Sequence, residues 1–271
     1  ISQLYSYHHL VENKTDAIAQ ALSSGVDSEL PNTDCAAEPL LDGVREGKID
    51  MDLLDRSVRH ILKLKFELGL FENPFVDPDT AAAAFDTDED RAAARKIAQE
   101  TMVLLKNDGT LPYSGAGKLA LYGSGARSTI KGGTGSGDVN VRHFVNIEEG
   151  LEHAGFTITT KAWMDAYDAI CQRAKKEYYA GVRKEAEAAG VKGQAIMLFA
   201  MGRTCPEPDY ELPLDGEGDT AVYVLARNSG EGTDRKPQAG DVELTKTEIR
   251  DILALNQKYE RFVLVLNVGG M

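Results

Sequence analysis

One acidic residue, Glu231, stands between Gly230 and Gly232, directly after an apolar, β-branched run at 220–227. The run predicts a buried strand, so Glu231 follows the carboxyl end of that strand. Active groups in parallel α/β sheets gather at this end, where loops enter the crevice. Glycines on both sides allow a close backbone approach and unusual backbone angles. The turn is therefore a candidate for carboxyl chemistry, and a solvated turn is the alternative.

Three other glycine-rich stretches compete with this turn. Glu217 also lies between glycines, but it precedes the strand, and we interpret it as a polar turn at the opposite edge of the sheet. The stretch YGSGARS at 122–128 has Ser128 where a dinucleotide fingerprint has its third glycine. The stretch KGGTGSGDV at 131–139 lacks the GK[ST] of a phosphate-binding loop, and it predicts a flexible or close-packed binding loop instead.

The elements that must position these loops follow from hydrophobic spacing. Helices are predicted at 14–25, 50–69, 90–105, 146–154, 163–189 and 245–258. Strands are predicted directly after the first helix and at 118–124, 156–160, 220–227 and 261–267. The alternation of strand and helix in the second half indicates a mostly parallel sheet with helices on both faces. The stretch 72–90 mixes Pro, Ala and acidic residues without a period, which predicts a linker.

Composition narrows the class of protein. The chain has 271 residues, 42% of them hydrophobic, which is ordinary for a packed globular protein. With 30 Lys+Arg against 43 Asp+Glu, the net charge of −13 argues against nucleic acid or an anionic membrane as a partner. The cysteines at 35, 171 and 205 are too far apart for a zinc motif or a disulfide framework. No pattern calls for a metal or a cofactor, and the lack of a disulfide pattern slightly favours the cytoplasm while leaving the location open.

Four stretches, taken in order, resemble family 3 of the glycoside hydrolases, the β-glucosidase-like enzymes. They are VREGKIDMDLLDRSVRHILKLKFELGLFENPFVDP at 44–78, ARKIAQETMVLLKNDGTLPY at 94–113, KGGTGSGDVN at 131–140 and SGEGTDRKP at 229–237. Each stretch alone is a weak signal, and their combination is specific. The likeness covers most of the chain except a divergent part near 160–215.

The resemblance implies an α/β fold made of the tail of a (β/α)8 barrel, a linker and a mostly parallel α/β sandwich domain. Accordingly we expect residues 1–43 to be the barrel remnant, residues 44–90 a helical segment with the linker, and residues 91–271 the sandwich domain. Residue 1 is not Met, and the last strand ends in Gly-Gly with no covering helix. We therefore expect both termini to be internal positions of a longer protein.

The resemblance also implies a reaction. Glu231 matches the family's general acid/base, and Ser136 matches a position beside the sugar, with a turn-stabilising role as the alternative. The family keeps its nucleophilic aspartate in a Ser-Asp-aromatic motif in the barrel, and this chain contains no such motif. For Arg235 we favour a solvated ion pair over a carboxylate pair that holds the loop. His8 and His9 are interpreted as packing or rim residues.

Two functions remain open at this point. In the first, the chain is part of a retaining, exo-acting β-glycosidase, most simply a β-glucosidase. Its partners are then a β-glucoside or oligosaccharide substrate and the remainder of the barrel, upstream or in another chain. On its own, the chain is then inactive. In the second, it is a non-catalytic sandwich module that binds a carbohydrate or a protein partner.

Overall fold

The computed structural model describes residues 1–30, 35–72, 77–193, 195–200, 203–230 and 235–269. The side chains of residues 136, 195 and 198 lie outside this description. The chain divides into two compact units, Ile1–Val103 and Leu104–Met271. The boundaries predicted at 43/44 and 90/91, and the assignment of residues 1–43 to a barrel, stay predictions.

Within the described residues of the first unit, the regular elements are helices and no strand forms. Its helices are α1 (Gln3–Ser6), α2 (Lys14–Ser23), α3 (Glu38–Arg45), α4 (Met51–Glu67), α5 (Pro78–Ala84) and α6 (Asp88–Glu100). Its core, between α2 and α3, contains Ala17, Ile18, Leu22, Cys35 and Ile49. The predicted helices at 14–25, 50–69 and 90–105 are confirmed, whereas no strand forms at residues 26–30 after the first helix.

Capping explains where these helices begin. The Asp50 carboxylate accepts a hydrogen bond from the backbone N–H of Asp52 at 3.0 Å, as its cap position predicts. The stretch 72–90, predicted as a linker, contains α5, and its role as a linker stays a prediction. Asp77 caps α5, Pro78 provides a preset φ at its first turn, and four alanines with high helix propensity follow.

The second unit contains a four-stranded parallel sheet. The strands are β1 (Lys118–Tyr122), β2 (Thr157–Ile158), β3 (Thr220–Arg227) and β4 (Arg261–Val268), in the order β2-β1-β3-β4. The helices are α7 (Ile147–His153), α8 (Lys161–Ala188), α9 (Ala195–Ala200) and α10 (Lys246–Lys258). This arrangement confirms an α/β fold with a parallel sheet, and every strand predicted from residue 118 onward is present.

The strand order creates a switch point. From β1 the chain first moves to β2 on one side, and it then returns to β3 on the other side of β1. The loops after β1 and β3 therefore diverge and leave a crevice at the carboxyl ends of these strands. Both strands are buried almost throughout, so the crevice lies at the end of a rigid layer.

Aromatic side chains fill one layer of the core. The Trp163 ring stacks on the Tyr167 ring, with the two centroids 5.3 Å apart. Tyr122 and Tyr210 make T-shaped contacts with Trp163, at centroid distances of 5.1 and 5.8 Å. Trp163 is only 5% exposed. The single Trp of the chain is therefore a packing residue and is not an exposed platform for stacking on a sugar.

Candidate functional site

A cavity of about 300 Å³ opens at the carboxyl edge of the sheet. Its wall comes from three segments, the loop after β1, the loop after β3 and the end of β4. The lining residues are Ile130, Gly132, Gly133, Asn228, Ser229, Asn267, Val268 and Gly269. Its volume is at the lower end of the range for small-ligand pockets.

The two loops that sequence reasoning singled out meet at this cavity. Thr134, in the loop 131–139, donates its backbone N–H to the carbonyl of Ser229 at 3.2 Å, and Thr134 forms an isolated parallel bridge with Gly230. A Cβ atom on Gly230 would lie 2.4 Å from the Thr134 backbone nitrogen and 2.5 Å from its carbonyl oxygen. Only glycine at 230 permits this approach, which is one reason for a bare turn here.

The predicted site residues themselves are described only in part. Glu231 lies outside the described residues. Ser136 belongs to a short 3₁₀ turn at Gly135–Gly137, and its side chain also lies outside the description. The structure thus brings the backbone beside Glu231 against the loop that carries Ser136, and the roles of both side chains stay predictions.

Asn267, near the end of β4, holds the beginning of the glycine-rich loop. Its Oδ1 accepts the backbone N–H of Ile130 at 2.6 Å, and its Nδ2 donates to the Ile130 carbonyl at 3.2 Å. The Asn267 side-chain amide thus bonds both backbone groups of Ile130, as a neighbouring strand would, although the two residues are 137 positions apart in sequence. Sequence reasoning missed this residue, although a polar side chain near the end of an apolar strand was a usable signal.

Asp241 binds the two residues that follow the segment 231–234, Arg235 and Lys236. Its carboxylate accepts from the Arg235 guanidinium and, at 2.6 Å, from the Lys236 N–H. Burial opposes ionisation of this carboxyl, but the two hydrogen bonds and the charges of Arg235 and Arg227 together outweigh burial and hold the pKa of Asp241 below its usual value. The Arg235 and Asp241 side chains are only 23% and 22% exposed, so the solvated ion pair favoured for Arg235 was wrong and Arg235 forms the alternative carboxylate pair.

The glycines of YGSGARS serve packing. A Cβ on Gly123 would lie 2.4 Å from the Val224 carbonyl oxygen, and Gly123 has a φ of +95°. A Cβ on Gly125 would lie 2.5 Å from the Val224 side chain. Both glycines therefore let the turn after β1 cross the surface of β3, which accounts for them without a bound nucleotide.

Glu217 lies where the sequence predicted, at the opposite edge of the sheet. Its carboxylate pairs with Lys118, the first residue of β1, at 2.5 Å, and both side chains are exposed. The hydrogen bond from Lys118 lowers the pKa of Glu217. An exposed, ionised carboxylate is a poor proton donor, so this position does not offer an acid.

Sequence reasoning also missed two neighbouring acidic residues, Glu207 and Glu248. Tyr167 donates its hydroxyl to Glu207, and Glu248 accepts from Arg227 at 2.7 Å. Burial, reinforced by the charge of Glu248, raises the pKa of Glu207, although the Tyr167 hydrogen bond acts in the opposite direction.

Within the described residues, no group of His, Cys, Asp and Glu has an arrangement that would hold a metal ion, and no helix is long and apolar enough to cross a membrane.

Comparisons with known proteins agree with these features. Residues 102–271 match the family model described as the glycosyl hydrolase family 3 C-terminal domain. A beta-glucosidase of Rhizobium radiobacter is 37% identical over 139 residues, which are 50% of this chain and 17% of that protein. A lysosomal beta glucosidase of Dictyostelium discoideum is 40% identical over 111 residues, 40% of this chain and 13% of that protein.

A solved structure is similar over a longer range. Beta-glucosidase 3B from Thermotoga neapolitana, in complex with glucose, superimposes with a TM-score of 0.63 and 28% identity. The match covers 93% of this chain and 34% of that chain. The chain therefore spans about a third of the solved relative and less than a fifth of the two curated relatives.

Proposed function

Because the chain belongs to glycosyl hydrolase family 3, with residues 102–271 matching its C-terminal domain, we propose that it is part of a retaining, exo-acting β-glycosidase. The enzyme hydrolyses terminal β-linked sugars, and β-glucosides are the first class to test, since the matched relatives are named beta-glucosidases. This chain supplies the general acid/base. The remaining barrel, upstream or in another chain, supplies the nucleophile.

The observation that carries this proposal is the contact between the loops 131–139 and 228–230 at the carboxyl edge. A retaining glycosidase needs two carboxyl groups about 5 to 5.5 Å apart across the scissile bond. An acid on this chain must therefore reach into a pocket that a second domain completes. A loop that is bare of side chains and is held at Gly230 by an immediate backbone contact suits that demand.

In the first step, Glu231 protonates the departing glycosidic oxygen while the nucleophile attacks the sugar carbon. In the second step, the Glu231 carboxylate removes a proton from water, which attacks the glycosyl-enzyme and releases the sugar with its configuration retained. Ser136 donates a hydrogen bond to the sugar from the glycine-rich loop. The neighbouring carboxylate of the nucleophile raises the pKa of the acid, so that it holds its proton near neutrality.

The test is Glu231→Ala in the complete enzyme that carries this chain. An acid is needed most where the leaving group is poor, so hydrolysis of alkyl glycosides should fall by about 10² to 10⁴-fold. Formation of the glycosyl-enzyme from an activated aryl glycoside should change much less. Azide should then accelerate turnover and give a β-glycosyl azide, because a small anion needs no base.

Controls separate this role from a structural one. Glu217→Ala, at the opposite edge of the sheet, should leave both substrates unaffected. The 271-residue chain alone should hydrolyse no aryl β-glucoside above background. Equal losses for good and poor leaving groups, without an azide product, would mean that Glu231 is a structural turn residue and that the acid lies elsewhere.

A further inference from the structure

Asp241 accepts hydrogen bonds from Arg227, which precedes the segment 231–234, and from Arg235 and Lys236, which follow it. On the near side, Arg227 is the last residue of β3, and its Nε donates to the Asp241 carbonyl at 2.7 Å. On the far side, the Arg235 Nη2 donates to the same carbonyl at 3.0 Å, and the Lys236 N–H donates to the Asp241 carboxylate. Asp241 therefore receives hydrogen bonds from residues on both sides of the segment.

This meeting point is itself anchored to rigid elements. The Arg227 side chain is 7% exposed, and its guanidinium also donates to the carbonyl of Ala226 at 2.9 Å and to Glu248 at 2.7 Å. Glu248 lies in the first turn of α10, where it also accepts the N–H of the cap residue Thr245. Arg227 thus connects Asp241 to both β3 and α10, and these two elements fix its position.

The turn around Asp241 is also compact. The Asp241 N–H donates to the Gln238 carbonyl at 3.1 Å, and the Val242 N–H donates to the Lys236 carbonyl at 3.3 Å. The Gly240 N–H donates to the Glu243 carbonyl at 2.9 Å. A turn with this many internal backbone bonds keeps one shape, so the Asp241 carboxylate presents a fixed acceptor to Arg235 and Lys236.

We propose that Asp241 is the positioning residue for the acid/base loop, and that it acts on the reaction only through Glu231. This inference rests on the proposed function. Asp241 touches no substrate; it binds Arg235 and Lys236, which directly follow the segment that carries Glu231, and loss of these bonds displaces the Glu231 carboxyl group. A misplacement of about 1 Å can lower a catalysed rate by about 10²-fold.

The experiment uses the complete enzyme and four variants, Asp241→Asn, Glu231→Ala, the double variant and Glu217→Gln. Asparagine keeps the shape of the side chain but loses its charge and one acceptor, so the bonds to Arg235 and Lys236 weaken. We expect kcat/KM for alkyl glycosides to fall by about tenfold to a hundredfold, and for activated aryl glycosides much less. Glu217→Gln removes the exposed ion pair with Lys118 at the opposite edge of the sheet, and it should leave kcat/KM for both kinds of substrate unchanged.

The double variant carries the sharpest result. If Asp241 acts through Glu231, Asp241→Asn adds no further loss in the Glu231→Ala background. Azide should not rescue Asp241→Asn alone, because the Glu231 carboxyl still fills its place. A loss that is equal for both leaving groups, or that adds fully to the loss from Glu231→Ala, overturns the proposal and leaves Asp241 as a general stability residue.

Two further outcomes keep the inference separate from the proposed function. If Glu231→Ala shows the leaving-group dependence and Asp241→Asn does not, the positioning role alone fails. If Glu231→Ala shows no such dependence, the proposed function fails and the role of Asp241 falls with it. Should Asp241→Asn not fold, Arg235→Gln replaces it in the same kinetic comparison. Arg235→Gln removes the guanidinium contact with Asp241 and leaves the Arg227–Asp241 bond in place.

Discussion

Gly230→Ala probes the contact on which the candidate site depends. An added Cβ would lie 2.4 Å from the Thr134 backbone nitrogen and 2.5 Å from both the carbonyl and hydroxyl oxygens of Thr134. Ordinary van der Waals contact begins at 3.4 Å, so the two loops must separate by about 1 Å. That shift lengthens the 3.2 Å bond between the Thr134 N–H and the Ser229 carbonyl to about 4 Å, beyond hydrogen-bonding distance.

The cost has two parts. A lost backbone hydrogen bond costs about 0.5 to 1.5 kcal/mol, and overpacking costs about 1 to 3 kcal/mol, of which movable surface loops relieve a share. We expect the free energy of unfolding to fall by about 2 kcal/mol and the melting temperature of the chain by about 4 to 8 °C. In the complete enzyme, a loop displaced by about 1 Å should lower kcat/KM by about 10²-fold.

Gly137→Ala is the matched control in the same glycine-rich loop. A Cβ there meets no atom within 4 Å, and the backbone of Gly137 is not among those with a positive φ. Its effect on stability should stay within about 0.5 kcal/mol. The reasoning is refuted if calorimetry and kinetics find Gly230→Ala as stable and as active as Gly137→Ala.

Three more predictions concern stability. Asn267→Ala removes both bonds to Ile130 and should cost about 1 to 3 kcal/mol in urea denaturation, whereas the exposed Asn256→Ala should cost at most about 0.5 kcal/mol. Asn267→Asp should approach the wild type as pH falls from about 7 to about 4, because only the protonated carboxyl can donate to the Ile130 carbonyl; a pH-independent deficit contradicts this. Glu207 has a raised pKa when folded, so it lowers stability progressively as pH rises above its unfolded value of 4.5. Glu207→Gln should therefore match the wild type below that pH and become relatively more stable above it, and a stability difference that stays constant across this range argues against the assignment.

Local sequence was sufficient for the elements and for the loops between them. The strand at 220–227 and the helix at 246–258 are confirmed because an unbroken β-branched run and an apolar repeat with a cap each specify their element from neighbouring residues alone. The helix at 78–84 was not anticipated, since a capped alanine run forms a helix without any apolar period. Glu217 was correctly assigned to the far edge, because parallel strands fix which loops share an edge.

The contacts that shape the candidate site belong to the tertiary structure. Asn267 meets Ile130 across 137 residues, and Arg227 meets Asp241 across 14, and neither spacing follows a helix or strand period. Such pairs depend on strand order and register, which a single sequence does not encode in any local repeat. The sequence by itself thus singled out the two loops that meet at the cavity, and the roles of Glu231 and Ser136 stay predictions. The folded chain alone decided that Gly230 lies against Thr134 and that Arg227 bonds to Asp241, because both contacts result from the approach of segments that only the packed sheet brings together.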